Sequence, residues 1–335
     1  MANRDVLAIG ASAGGFEALR FLAAGLPQDL PASVLMVIHL PSQFPSELDS
    51  ILTNSGHLPA RFARDGEKLE HSRIYLAPAG SHLLVDGNVL HLGHGPQENN
   101  TRPAIDPLLR SAALCCAPRA IGVILTGTLG DGASGLWALK QAGGVTVVHD
   151  PADAAYPEMP SSALRRVKPD HVVSLRAMPA LLNELVREPA GPPRPVPAEM
   201  KYEVMVARGD PGSMQEMDRI GRRSVLTCPE CNGTMWEINE GDLVRYRCHI
   251  GHAYTAEVMS LALDENLRRA LASGLRAIEE RIALVRRLEK QASEAGREQL
   301  AERWERKAQE FEDEQMLLRD TIRRIDKIAA RAPQT

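Results

Sequence analysis

No stretch of this sequence holds the roughly 20 uninterrupted apolar residues that a bilayer-crossing helix needs. Nor does it open with a basic segment followed by an apolar run. Met1-Ala2-Asn3-Arg4-Asp5 leads straight into Val6-Leu7-Ala8-Ile9, so no secretory leader is expected and the cytoplasm is the expected location. An excess of one charge is missing too. With 39 Lys+Arg against 43 Asp+Glu the formal net charge is −4, too mild to indicate a nucleic acid or an acidic membrane surface as partner. Cysteine is scarce, with five residues, which read as free thiols or metal ligands rather than disulfides. What is present is 335 residues with 44 % hydrophobic content, enough for one large domain plus something smaller, with a core that needs no external staples.

Residues 5 to about 188 alternate strand-like and helix-like patterns. Continuous apolar runs at 5–9, 34–39, 120–127, 144–148 and 171–175 have the character of strands covered on both faces. Helical patterns fall at 15–25, 44–54, 106–117, 132–142, 160–167 and 177–187. This alternation predicts an α/β fold, a doubly wound and mostly parallel sheet. Short strands at 74–78, 82–85 and 89–92, the last two joined through Asp86-Gly87-Asn88, predict a small antiparallel excursion. The expected domains are 1–188 for the α/β body and 189–224 for a proline-rich linker with an unassigned polar segment. A small module over 225–256 and a helical hairpin or coiled coil over 257–331 follow.

The 225–256 module rests on Cys228-Pro229-Glu230-Cys231 followed by Cys248 and His252. Two thiolates on one knuckle, then a thiolate and an imidazole on a second, make a tetrahedral set for a soft cation. The intervening 235–238 and 244–247 segments look like the hairpin of a zinc ribbon. His249 is an alternative fourth ligand, although the CxxxH spacing favours His252. Four protein ligands close a site, so a structural zinc is expected and no cofactor for catalysis. Beyond it, Leu263, Leu267, Leu271, Ile278, Ile282, Val285 and Leu288 recur at helical spacing. Leu300, Trp304, Ala308, Phe311, Leu318, Ile322 and Ile325 do so again after a break near Gly296. Narrow stripes of this kind suit an antiparallel hairpin or a homodimer contact.

Three loops carry the candidate chemistry, each at the C-terminal end of an expected parallel strand, where such sheets gather ligands. Gly10-Ala11-Ser12-Ala13-Gly14-Gly15 opens a helix and holds Ser12. His39 begins the second loop, before Leu40-Pro41-Ser42. The third is Thr126-Gly127-Thr128-Leu129-Gly130-Asp131-Gly132. Together they supply a nucleophile, a base and an orienting carboxylate. Each has a plainer alternative: Ser12 and Asp131 as helix caps, His39 as a polar strand end. A dinucleotide site stays a weaker competitor, because it wants glycine in place of Ser12 and an acid in place of His39. An α/β-hydrolase elbow would place several strands ahead of its serine, and a P-loop is ruled out because no Gly-Lys-Ser/Thr follows.

These loops, taken with Ile74-Tyr75-Leu76-Ala77-Pro78, His82-Leu83-Leu84-Val85, Arg102-Pro103-Ala104-Ile105-Asp106, Asp150-Pro151 and Met159-Pro160, resemble the catalytic domain of the chemotaxis protein-glutamate methylesterase (CheB-type) family. The resemblance runs in order over residues 4–188. It implies a serine hydrolase that demethylates γ-glutamyl methyl esters on chemoreceptor helices and deamidates receptor glutamines, with Ser12, His39 and Asp131 as its triad. It also implies oxyanion donors in the backbone of Ala13 and Thr128. Thr128 and Leu129 stand where the family pattern has methionine and glycine, and a lost glycine matters if that position needs positive φ. The sequence is further expected to lack the phosphorylatable receiver domain of chemotaxis members. Arg102 is expected either to meet acidic receptor surface or to pair with a carboxylate such as Asp106, and Met159 to flank the site. Two functions therefore stay open: an active methylesterase, or a non-catalytic signalling adaptor that binds partners through its C-terminal helices. An adaptor has no need of the three triad residues.

Overall fold

Apolar runs that alternate with amphipathic helices have one economical packing, a parallel sheet with helices over both faces. In chain order the elements are β1 (Val6–Ala11), α1 (Gly15–Gly25), β2 (Ser33–Ile38), α2 (Leu48–Ser55), β3 (Ala60–Phe62), β4 (Arg73–Leu76), β5 (His82–Asp86), β6 (Val89–Gly93) and α3 (Ile105–Cys115). Then come β7 (Ala120–Ile124), α4 (Ala133–Gln141), β8 (Val145–His149), α5 (Glu158–Arg166), β9 (His171–Val173) and α6 (Met178–Leu185). The computed structural model describes residues 3–39, 47–196, 198–210, 214–240 and 243–329. Leu40-Pro41-Ser42 and the first residues expected in the 44–54 helix lie outside them.

The main sheet runs β3-β4-β2-β1-β7-β8-β9, and its described pairings are all parallel. One core gathers Leu7, Ile9, Val34 and Met36 with Leu19 and Leu22 of α1, Leu52 of α2 and Leu182 of α6. The other gathers Ala8, Leu35 and Val37 with Leu108 of α3, Leu136 of α4 and Ala163 of α5. Strand order reverses at β1, whose neighbours are β2 and β7. That places the C-terminal ends of β2, β1 and β7 side by side at a switch point. The expected antiparallel excursion is smaller than the sequence suggested. β4 joins the main sheet parallel to β2, and only β5 and β6 form a separate antiparallel pair.

The segment 199–224, unassigned from sequence, holds α7 (Ala198–Arg208) and α8 (Met214–Ile220). Met200 of α7 packs against the α/β core, while Tyr202 and Val206 pack with Trp236. A helix covered on two sides shows no single apolar stripe. An antiparallel sheet follows in the order β10 (Arg222–Thr227), β11 (Thr234–Glu240), β12 (Leu243–Cys248), β13 (Ala253–Thr255). It belongs to the first of two compact units, Met1–Met259; the second is Ser260–Thr335. α9 (Ala256–Glu294) and α10 (Glu298–Ala329) follow. Within the second unit they run antiparallel. Val285, Ala308 and Phe311 form their core, and Arg286 donates to Glu312 at 2.8 Å.

Candidate active site

Ser12 leaves β1 with its backbone occupied: its N–H donates to the Thr126 carbonyl at 3.0 Å, and its own carbonyl accepts from Gly15 N–H at 2.8 Å. Gly14 caps α1 at φ 69, and no side chain caps that helix. The serine hydroxyl is thus not used as a cap. It lies 2.9 Å from Nδ1 of His39, whose Nε2 lies 2.9 Å from Oδ2 of Asp131. The three side chains from adjacent strand ends form one connected chain.

Asp131 is buried and collects donors. Oδ2 accepts from Ile105 N–H at 2.6 Å; Oδ1 accepts from Gly132 N–H at 3.0 Å, Asp106 N–H at 3.3 Å and Asn99 Nδ2 at 3.0 Å. Burial alone pushes its carboxyl up, but the His39 ring, the Ile105 amide and Asn99 together outweigh it and bring the group down to about 2. Asp131 is therefore ionised at neutral pH and can only accept. His39 must then carry its proton on Nε2, which leaves the Nδ1 lone pair facing the serine hydroxyl. Asp131 also caps a helix, as its plainer alternative had it, but the helix is α3 rather than the following α4. The α4 end is served in return by Asp106, whose Oδ1 accepts from Gly135 N–H at 2.6 Å. Burial, reinforced by the Asp131 charge, pushes Asp106 up to about 7.

The turn after β7 closes over Ser12. A Cβ at Gly127 would sit 2.8 Å from the Ser12 Cβ and from the Met159 sulfur, so this position has room only for glycine. Met159 is fully buried and its N–H donates to the Gly127 carbonyl at 3.0 Å, so it flanks the site as packing beneath the turn. Gly127 N–H donates to Tyr156 O at 3.0 Å. The Ala13 and Thr128 N–H groups have no hydrogen-bond partner among the described residues. Leu129 takes the left-handed conformation, φ 62, and stays 40 % exposed. A cleft of ≈ 650 Å³ opens beside the loop, lined by Gly14, Glu17, Phe21, Thr126 and Asp153 among others.

Among the described residues Arg102 forms no ion pair with Asp106. Its Nη1 donates to the carbonyls of His94 at 3.2 Å and Gly95 at 2.7 Å, so the guanidinium fastens the end of the β5–β6 hairpin. Sequence reasoning missed Asn99 and gave Asp106 no part in the site. The adjacent asparagines 99 and 100, both at positive φ, were the one local sign, since asparagine is enriched there.

Cys228, Cys231, Cys248 and His252 converge with their ligand atoms within 4.8 Å of one another. A zinc tetrahedron, with bonds of about 2.3 Å to sulfur and 2.0–2.1 Å to nitrogen, has edges of roughly 3.8 Å between sulfurs and 3.6 Å from sulfur to nitrogen. Cys231 and Cys248 sulfurs are 3.7 Å apart, and His252 Nδ1 lies 3.6 and 3.5 Å from those of Cys228 and Cys248. The residues present fit the ion. His252 Nε2 faces Glu230 at 3.1 Å, the outer carboxylate that commonly orients a metal-bound imidazole. His249 is outside the cluster, its ring against Gly233.

The sheet of this cluster is joined to the α/β body by buried ion pairs. Arg247 donates to Glu98 at 2.8 Å, and Arg110 of α3 meets the same carboxylate. Burial pushes the Glu98 carboxyl up, but Arg110 and Arg247 more than reverse that and hold it below the usual range. Arg245 pairs with Glu203 of α7 at 2.9 Å.

The model described as CheB methylesterase matches residues 7–182. Among curated proteins, the protein-glutamate methylesterase/protein-glutamine glutaminase 2 of Anaeromyxobacter dehalogenans is 38% identical over 186 residues, 56% of this chain and 54% of that protein. The corresponding protein 1 of Xanthomonas campestris pv. campestris is 41% identical over 174 residues, 51% and 48% of the two chains. The chain thus spans about half the length of the curated relatives it matches. The crystal structure of the Thermotoga maritima CheB methylesterase catalytic domain superposes with a TM-score of 0.53 at 32% identity, covering 56% of this chain and 100% of that one. Among the described residues no helix is long and apolar enough to cross a membrane.

Proposed function

The chain belongs to the CheB methylesterase family, and from that premise we propose that Ser12, His39 and Asp131 are the catalytic triad of a serine hydrolase. Its substrates are γ-glutamyl methyl esters on chemoreceptor cytoplasmic helices. The observation that carries this is the unbroken relay from Ser12 Oγ through both His39 nitrogens to Asp131, in two steps of 2.9 Å. Ser12 Oγ adds to the ester carbonyl while His39 Nδ1 takes its proton. The ring returns the proton to the departing methoxide, and methanol leaves. Water then clears the glutamyl-enzyme by the same base. Asp131 keeps the ring in the tautomer that the first step needs and balances its positive charge once formed. Backbone N–H groups of Ala13 and Thr128 are the oxyanion donors, already oriented before reaction. The same acyl-enzyme formed from a receptor glutamine releases ammonia in place of methanol, which is the deamidase activity.

Cys228, Cys231, Cys248 and His252 would hold a structural zinc, making β10–β13 a zinc ribbon. Bound there, the ion supplies folding energy to a small sheet. Metal analysis should find one zinc per chain, lost on Cys231→Ser. The helices α9 and α10 are proposed as the surface for a receptor bundle or a second copy of the chain.

Methanol release from methylated receptor tests the catalytic function. Ser12→Ala and His39→Ala should each lower kcat by about 10⁵-fold or more, as expected when members of one triad are removed. Equal rates in all three proteins would overturn it.

A further inference from the structure

Asn99 stands between the two chemistry-bearing clusters. Its Nδ2 donates to Asp131 Oδ1 at 3.0 Å and approaches Asp106 Oδ2 at 3.3 Å. Its other amide atom, Oδ1, accepts from Thr255 N–H at 3.0 Å, and its backbone N–H donates to Ala253 O at 2.7 Å. Thr255 and Ala253 form the ends of β13, the strand that directly follows His252. The side chain is buried.

A carboxamide has one accepting end and one donating end, and nothing in its own shape fixes which faces a neighbour. Here the Thr255 N–H fixes it. With the oxygen committed to β13, the NH2 group must point at Asp131. If β13 is lost, the amide is free to turn its oxygen on the Asp131 carboxylate, an acceptor against an acceptor in a buried place. Glu98, the preceding residue, is held by Arg247 of β12, so the ribbon grips this loop at two successive positions.

We propose that Asn99 is a positioning residue through which the metal-organised ribbon holds the triad carboxylate in place, so that metal occupancy sets the reactivity of Ser12. The proposal rests on the esterase function above. It makes the ribbon part of the working catalytic unit and gives the full chain a dependence on zinc although zinc takes no part in the chemistry.

The test uses the full chain, loaded with zinc or stripped by a chelator, and two measurements. The first is labelling of Ser12 by a fluorophosphonate. That reaction forms the Oγ–P bond, expels fluoride, passes the serine proton to His39 and needs no receptor. The second is hydrogen exchange of the peptide 97–107, with the β1 strand as internal control. Stripping zinc should slow labelling about 10–100-fold, the range for losing one hydrogen bond to a charged group, and speed exchange of 97–107 while β1 stays protected. Asn99→Gly, which keeps the φ of 52 that this position adopts, should slow labelling similarly with zinc still bound. Stripping zinc from that variant should then slow it much less than it slows the parent, because both changes act through the Asn99 amide. With methyl ester substrate the Asn99→Gly loss should fall on kcat rather than KM. Labelling indifferent to zinc, or losses from the two changes that multiply, would overturn the coupling. If loaded parent does not react with the probe at all, the esterase function fails instead.

Discussion

The two clusters of the first unit are built by opposite rules. Ser12, His39 and Asp131 come from three strand ends, His39 and Asp131 alone lying 92 residues apart, and only the strand order brings them together. The four metal-type ligands come from a single antiparallel sheet within 25 residues, Cys228 to His252. A site of the first kind is exposed to every element that supports its loops. One of the second kind needs little beyond its own knuckles. Damage should therefore travel from the β10–β13 sheet to the strand ends more readily than in reverse.

The largest effect that can break this asymmetry is at Asp131. Asp131→Asn keeps the shape but loses an acceptor that serves His39 and the first turn of α3 at once. Methanol release should fall by about 10³–10⁴-fold through the wrong imidazole tautomer. The urea midpoint should also fall, by about 1–3 kcal/mol of stability, from amides left unpaired at the α3 end. Zinc uptake by the cluster of Cys228, Cys231, Cys248 and His252 should not change. A variant with full stability would show that the capping bonds contribute nothing; one that loses zinc would abolish the one-way rule.

Next in size is the junction. Arg247→Met leaves Glu98 buried with one cation fewer, and breaking such a pair costs about 3–5 kcal/mol. Equilibrium unfolding should show that loss together with slower Ser12 labelling, whereas unchanged stability would mean that the junction is not under load. A smaller effect separates the two buried carboxylates by pH. The Asp131 group is depressed to about 2, so its contribution is present above the unfolded value near 3.9 and disappears as pH falls below it. Asp106 has the opposite sign. Raised to about 7, it binds its proton more tightly folded than unfolded, so stability is highest below about 4 and is lost as pH rises to 7. Asp106→Asn should flatten denaturation free energy between pH 4 and 7 by a few kcal/mol and leave the fall below pH 4 in place. An unchanged slope between 4 and 7 would assign it to another group.

What the sequence disclosed follows the same division. Both ligand knuckles were legible because their chemistry is local spacing, and that spacing also favoured His252 over His249. The three strand-end residues were legible because apolar runs announce parallel strands and glycine turns announce their ends. Which His39 nitrogen faces which partner was not, since it depends on how three loops meet. Asn99 was invisible for a similar reason: its partners Asp131 and Thr255 lie 32 and 156 residues away. The carbonyls that Arg102 satisfies were not legible, because backbone groups of a hairpin end are a demand that no side-chain pattern displays. The short run at 74–78 looked like part of the hairpin excursion because a central parallel strand and a buried hairpin strand share one apolar signature.

The smallest effect concerns Leu129, within the strand-end cluster yet outside its hydrogen-bond relay. At φ 62 a residue with a Cβ is strained by about 1–2 kcal/mol. Glycine there relieves the strain but adds freedom to the unfolded chain worth about 0.4–1 kcal/mol in the opposite sense. The side chain is 40 % exposed, so little burial is lost with it. Leu129→Gly should therefore stabilise the protein by less than about 1 kcal/mol, read as a small rise in Tm. Its effect on rate depends on the neighbouring Thr128 N–H. If the strained turn is what aims that donor, a looser turn lowers kcat less than tenfold with KM unchanged; a fall in Tm would mean that the left-handed turn stores no strain. Zinc content and the exchange of 97–107 should both be untouched, because this loop carries the proposed oxyanion donor and takes no part in the grip of β13 on Asn99.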